Sequence, residues 1–334
     1  MIVKNEADIL KRCLETVFDI MDEIIIVDTG STDSTKEIAA LYTDKIFDFE
    51  WIDDFSAARN FAFSKASCEY IYSADADEVI DEINRQRFKD LKQILNGEAE
   101  LVQMYYVNQL KFGTVYNFDR EYRPKLFKRN RIFTWIDPIH ETIRLEPVIF
   151  DSEIEIIHEP KASHAARDLA IFRGMTAPNA PLGLPKRLNN LYARELFMVG
   201  EKNDFLEAEA YFEWVASDNA SSLEEIKEAA CVVARASRLR GDAVKFFKFA
   251  LKDIGSEGSS EICYELGEFY RSQDDLTEAV IWFFNAAFET SSIIDIKTSG
   301  ILPLTALFEC YETLNIKDEA AKYKKLASEW KAEK

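Results

Sequence analysis

The stretch EYIYSADADEVID, residues 69–81, sets four strand-forming residues, Tyr70, Ile71, Tyr72 and Ser73, directly before two aspartates one residue apart. In an extended chain the side chains of residues i and i+2 leave the backbone on the same side, so Asp75 and Asp77 can share one hard cation. Glu78 follows at once. Carboxylates crowded at a strand end are costly unless a metal, a helix N-terminus or water compensates them. The plainer alternative is an acidic turn in an acidic protein.

Composition bounds both readings. A chain of 334 residues suits two domains, each large enough to bury its own core. Hydrophobic content of 47% with 30% charged residues belongs to a soluble, globular chain. The net charge of −19 argues against a nucleic-acid or anionic-membrane surface, since both need Lys and Arg to neutralise phosphate. Cys13, Cys68, Cys231, Cys263 and Cys310 are scattered with no C-x-x-C, which points to neither a disulfide framework nor a zinc site and fits a reducing cytoplasm. No apolar run approaches membrane-spanning length, and Lys4, Glu6 and Asp8 stand where a signal peptide needs an apolar core. A cytoplasmic protein is expected.

Upstream of the aspartates the chain alternates. Residues 1–3 read as the tail of a buried strand; either something precedes it or the sheet tolerates a short first strand. Ile9, Leu10, Leu14, Val17 and Phe18 predict a helix over 7–18. EIIIVD, 23–28, is the continuous apolar run of a strand buried on both faces. It runs into TGSTDSTKEIAALY, where Gly30 permits a tight turn and Ser31 or Asp33 is placed to cap a helix through Leu41. Residues 45–49 give a third strand and DDFSAARNFAFSKAS, 53–67, a third helix. Arg59 and Asn60 sit in that helix, where Arg59 either reaches a site or snorkels from a buried face. Asp75 and Asp77 then fall at the carboxyl end of a fourth strand, where α/β folds place their ligands.

The linked segments MIVKNEADILKRCLETV, DEIIIVDTGSTDSTKEIA, DDFSAARNFAFSKAS and YIYSADADEVID resemble the nucleotide-sugar half of family 2 glycosyltransferases, with a Rossmann-like mixed sheet of the GT-A fold over residues 1–160. The resemblance implies a nucleotide-sugar donor, usually a UDP-sugar, a divalent cation (Mn2+ or Mg2+) and inversion at the anomeric carbon. Such a cation neutralises a diphosphate leaving group, and oxygen ligands suit either ion. Carried onto this chain, the resemblance puts Val3, Asn5 and Glu6 in the base pocket and Asp28 at the base or ribose. Arg59 would help hold the nucleotide, Asp75 and Ala76 would face the ribose and metal, and Asp77 would ligate the metal.

Further on, residues 87–95 read as a helix and 101–110 as a strand. Arg120, Arg123, Lys125, Lys128, Arg129 and Arg131 form the densest basic stretch of the first half, able to balance phosphate or simply to face solvent. Trp135, His140 and Glu141 match a tryptophan-to-His-Glu element of related transferases, although Asp137-Pro138 stands where relatives often carry glycine. Inverting transfer needs a base that takes the acceptor proton. Glu141 and then Asp137 are the candidates, with His140 a metal or phosphate contact or else a structural histidine. His158 and His164 read as structural or solvent-facing.

A Pro/Gly/Asn-rich run ends residues 161–187, a linker or a lid. Residues 188–334 read as helices only. Ala208, Ala243, Ala279 and Ala320 lie 35, 36 and 41 residues apart, with Tyr211, Phe246, Trp282 or Tyr323 three positions on. That pattern resembles tetratricopeptide repeats, best in the unit with Leu266, Gly267, Tyr270 and Ala279. Stacked helix pairs present a groove able to hold a peptide, or else buttress the first domain or a homodimer. The two parts together resemble the SunS type of bacterial peptide glycosyltransferase, which implies a peptide or protein acceptor. Two alternatives stand beside it: a transferase building a surface glycan or lipid-linked saccharide, and a non-catalytic interaction protein with a vestigial transferase fold.

Overall fold

The computed structural model describes residues 1–95, 97–108, 120–143, 146–161, 165–177, 180, 183–255 and 257–331. His164, Gln109, Leu110 and part of the expected lid, residues 162–164, 178–179 and 181–182, lie outside them. The chain divides into two compact units, Met1–Ser163 and His164–Lys334.

In the first unit, β1 (Ile2–Val3), β2 (Ile26–Asp28) and β3 (Ile46–Asp48) form a parallel sheet in the order β1-β2-β3. Ile26 and Val27 are wholly buried, as a strand covered on both faces requires. Helix α1 (Leu10–Val17) buries Leu10, Cys13, Leu14 and Val17, the three-and-four spacing of one helical face. It starts later than residue 7, because the Ala7 amide is held by Asp33 Oδ2 at 3.2 Å and Asn5 adopts a left-handed φ of 56°. Helix α2 (Thr35–Ala39) stops short of Leu41. Its N-cap is Ser34, which makes no side-chain cap bond; the Ser31 hydroxyl oxygen accepts from the Asn5 amide (2.9 Å), and Asp33, one residue before the cap, accepts the Thr35 amide with Oδ1 (3.0 Å). Helix α3 (Phe55–Lys65) is capped by Asp54, which accepts from the Ala57 amide.

Strand β4 (Tyr70–Tyr72) leaves the parallel series. It edges a second, mixed sheet of order β4-β7-β6-β10-β5, made with β5 (Glu78–Val79), β6 (Leu101–Val107), β7 (Arg120–Lys128) and β10 (Ile149–His158). Only β6 and β10 run parallel in it. Helix α4 (Glu82–Ile94), capped by Asp81, covers this sheet through Phe88 and Leu91. A two-stranded hairpin, β8 (Trp135–Ile136) with β9 (Thr142–Ile143), completes the unit. The aspartate pair is therefore not in an extended strand. It lies in a turn between β4 and β5, closed by the Glu78 amide donating to the Asp75 carbonyl at 3.2 Å.

The described residues of the second unit form helices and no strand, apart from an isolated bridge between Ser259 and Ser291. Helix α5 (Ala165–Met175) packs on α6 (Lys186–Val199) and α7 (Lys202–Val215), so this part of the expected linker belongs to the helical array. Helices α8 (Leu223–Arg240), α9 (Ala243–Ile254), α10 (Ser260–Ser272), α11 (Leu276–Phe284), α12 (Ile301–Thr313) and α13 (Lys317–Glu329) follow. Helix α7 packs on α8, α8 on α9, α10 on α11 and α12 on α13 as hairpins, and α6, α8, α10 and α12 also touch in succession, which stacks one pair on the next. Side-chain caps from Ser222, Asp242, Ser259 and Asp275 start α8 to α11. Ala279 and Ala320, each the fourth residue of its helix, are fully buried. Ala243, aligned with them by spacing, is exposed at the first position of α9, and buried Phe246 takes the fourth.

Candidate active site

The site is built on the Asp75–Glu78 turn. Ala76 packs into the apolar cluster of Val3, Leu10, Leu14 and Ile26, so the residue between the aspartates anchors the turn by its methyl group. Asp75 and Asp77 then have different surroundings. Asp75 Oδ1 accepts from Arg59 Nη2 at 3.1 Å, and its Oδ2 lies 3.7 Å from Lys125 Nζ. Burial alone would raise the Asp75 carboxyl; Arg59 and Lys125 overcome it and hold the group well below the usual carboxylate range. Asp77 Oδ2 lies 3.2 Å from His158 Nε2, and its carbonyl accepts from the Glu159 amide at 2.8 Å.

His158, read from sequence as structural or solvent-facing, stands beside the turn. It ends β10, which pairs with β5 so that His158 faces Glu78, and its ring lies 5.2 Å from that of Tyr106. Lys125, on β7, is buried and ion-paired with Glu78, and it also donates to the Ser73 carbonyl at 3.3 Å. Burial pushes the Glu78 carboxyl up to about 7 against the pull of Lys125, with Asp75 adding to the rise. Lys125 is one of the six basic residues named between 120 and 131, and it is the register of β7 that brings it to the turn.

Arg59 is the hub of the site. Its Nε donates to Glu141 Oε1 (2.6 Å), Nη1 to Ser73 Oγ (2.7 Å) and Nη2 to Asp75, and its guanidinium lies 5.0 Å from the Trp135 ring centroid. Two carboxylates raise its pKa despite burial. The Arg59 and Glu141 side chains are each 12% exposed. The loop carrying Glu141 is held by the Phe55 amide donating to the Pro138 carbonyl, and it is bent by left-handed backbone at Asp137 (φ 73°) and His140 (φ 48°). Asp137 thus supplies without glycine the conformation that glycine adopts readily.

At the other end, the β1 loop is clipped to the β2 turn. The Thr32 amide donates to Asn5 Oδ1 (2.8 Å) and the Glu6 amide to Thr35 Oγ1 (2.8 Å). Val3 is buried and paired in register with Asp28. Asp28 Oδ1 accepts the amides of Gly30 (φ 102°) and Ser31, while Oδ2 is buried and without a hydrogen-bond partner among the described residues. A buried, unmatched carboxylate oxygen costs on the order of 1–3 kcal/mol, which a donor on a ligand would recover.

Comparison with known proteins bears on the same region. Residues 1–142 match the family described as glycosyl transferase family 2. A TPR repeat-containing protein of Synechococcus elongatus is 36% identical over 143 residues, 43% of this chain and 34% of the relative. The SPbeta prophage-derived glycosyltransferase SunS of Bacillus subtilis is 31% identical over 144 residues, 42% and 33% of the two chains. The chain spans about a third of the length of these relatives. Among solved structures, S. aureus TarS 1–349 aligns over 85% of this chain and 89% of its own at 15% identity, with a TM-score of 0.36. The match to glycosyl transferase family 2 thus falls within the first unit, which is α/β, and a helical array follows that unit.

Proposed function

We propose that this chain transfers a sugar from a UDP-sugar to a peptide or protein side chain, with inversion at the anomeric carbon and assistance from a divalent cation. The observation that carries the reading is the turn in which core-packed Ala76 holds Asp75 against Arg59 and Lys125, and Asp77 against His158. The donor set fits Mn2+ or Mg2+, with carboxylate oxygens from Asp75 and Asp77 and an imidazole within reach. Among the described residues no three such side chains converge on one point. Diphosphate oxygens and water would therefore complete the shell, as is usual for these ions. When bound, the cation supplies neutralisation of the diphosphate charge.

The chain's own residues divide the remaining work. Asp28 Oδ2 accepts a hydrogen bond from the base or ribose, within a pocket walled by Val3, Asn5 and Glu6. Glu141 takes the proton from the attacking acceptor atom, with Asp137 the nearby alternative and His140 beside them as a phosphate or metal contact. The acceptor forms its bond to the anomeric carbon as the sugar–phosphate bond breaks, and UDP leaves with the electron pair. The helical array supports a peptide acceptor, because stacked helix pairs present a groove. A cytoplasmic setting agrees with the free cysteines, and no described helix is long and apolar enough to cross a membrane.

Incubating UDP-glucose or UDP-N-acetylglucosamine with peptide and saccharide acceptors, followed by mass spectrometry, tests the acceptor. Sugar-mass addition to peptide supports the proposal. Addition only to saccharide or lipid-linked acceptors transfers it to the glycan-building alternative.

A further inference from the structure

The Arg59–Asn60 dipeptide on α3 grips three separate segments at once. Asn60 Nδ2 donates to the Trp135 carbonyl and Asn60 Oδ1 accepts the Trp135 amide, both at 2.9 Å, so the side chain pairs with the β8 backbone as a neighbouring strand would. Arg59 reaches back to Ser73 and Asp75 beyond β4 and across to Glu141 beyond β8, while lying over Trp135. Each of its three nitrogens is already engaged with protein, and the side chain is 12% exposed.

We infer that Arg59 is a positioning residue that couples the cation-binding aspartate to the base-bearing loop, rather than a direct contact of the nucleotide. The inference rests on the donor-site reading above and gives this arginine a role different from the one that family resemblance suggested. One rigid, planar cation shared by Asp75 and Glu141 fixes their separation, because a guanidinium holds its donors in a fixed fork. Asn60 fixes the loop from the other side, so Glu141 cannot drift from the donor corner independently of α3. Lysine would keep the charge but lose the fork and its three simultaneous bonds.

The test uses the full chain, UDP and Mn2+. Free Mn2+ is followed by electron paramagnetic resonance at saturating UDP, and UDP affinity by calorimetry at saturating Mn2+. Arg59→Lys is expected to weaken Mn2+ binding about 10–100-fold, as loss of a group that orients a ligand does, with UDP affinity changed less than about threefold. Ser73→Ala, which removes one Arg59 partner and retains the charge pairs, is expected to shift Mn2+ binding in the same direction by less, and it stands in if Arg59→Lys does not fold. Weaker UDP binding at saturating Mn2+ in either variant, or unchanged Mn2+ binding in both, overturns the inference. Wild-type protein that binds neither UDP nor Mn2+ overturns the donor-site reading itself, and with it this role, which separates the two failures.

Discussion

Asp75 and Asp77 show how far local sequence carries a site and where it stops. Their spacing and their place after a β-branched and aromatic run make the pair a ligand candidate, yet the extended-strand argument for shared orientation does not survive, because the pair lies in a turn. Their partners Arg59, Lys125 and His158 lie 16, 50 and 81 residues from the aspartate each one meets. Such partnerships depend on strand register, which no local pattern states. Two outcomes belong at this scale. Asp77→Asn is expected to abolish the metal-dependent part of UDP binding while leaving the helical unit's circular dichroism intact; retained Mn2+ dependence would assign Asp77 elsewhere. Glu141→Gln is expected to keep UDP affinity and lower the transfer rate about 10²–10⁴-fold, the contribution of a general base. Turnover near wild type with a verified acceptor removes Glu141 from that role.

Elements were more legible than contacts. The three-and-four apolar spacing of α1 and the continuous apolar run of β2 lie in the residues themselves, whereas α4 begins at Glu82 under its Asp81 cap, ahead of the start expected at residue 87. The division of the strands into separate sheets does not lie there, because among the described residues β4 pairs with β7 alone, more than 50 residues onward. In the array, Gly267 is legible because its backbone must approach a neighbour closely. A Cβ there would lie 2.5 Å from the ring of fully buried Phe283 on α11. Gly267→Ala is therefore expected to destabilise the array by about 1–3 kcal/mol, the usual cost of overpacking. Urea unfolding followed by circular dichroism measures it, and a midpoint at or above wild type would mean that α10 and α11 do not pack this closely. Ala243 shows the opposite case. Fixed spacing aligned it with Ala279, but the Asp242 cap starts its helix so that Phe246 falls in the buried place.

At the scale of the whole molecule, two units and the order α/β then all-α follow from where strand-like runs cease, and the acidic balance leaves its own mark on stability. Glu195 on α6 is 7% exposed. Burial, with Asp168 adding and Arg167 opposing, raises its carboxyl from 4.5 to about 8. A carboxyl that binds its proton more tightly folded than unfolded contributes stability in full below about 4.5, and loses it as pH rises through about 8. The helical unit is thus expected to lose stability between those values, by at most about 1.4 kcal/mol per pH unit from this group. Glu195→Gln should flatten that slope in thermal melts across the range, and an unchanged slope would place its origin elsewhere. For the molecule's function, the most direct measurement is the thermal stability of the whole chain titrated with UDP in Mn2+, against UDP in EDTA and against Asp77→Asn. A ligand held only by the folded state adds about 2.7 kcal/mol at one hundred times its dissociation constant. The account predicts a rising melting temperature with UDP and Mn2+ that is diminished in EDTA and in Asp77→Asn; no shift with any nucleoside diphosphate and divalent cation would contradict it.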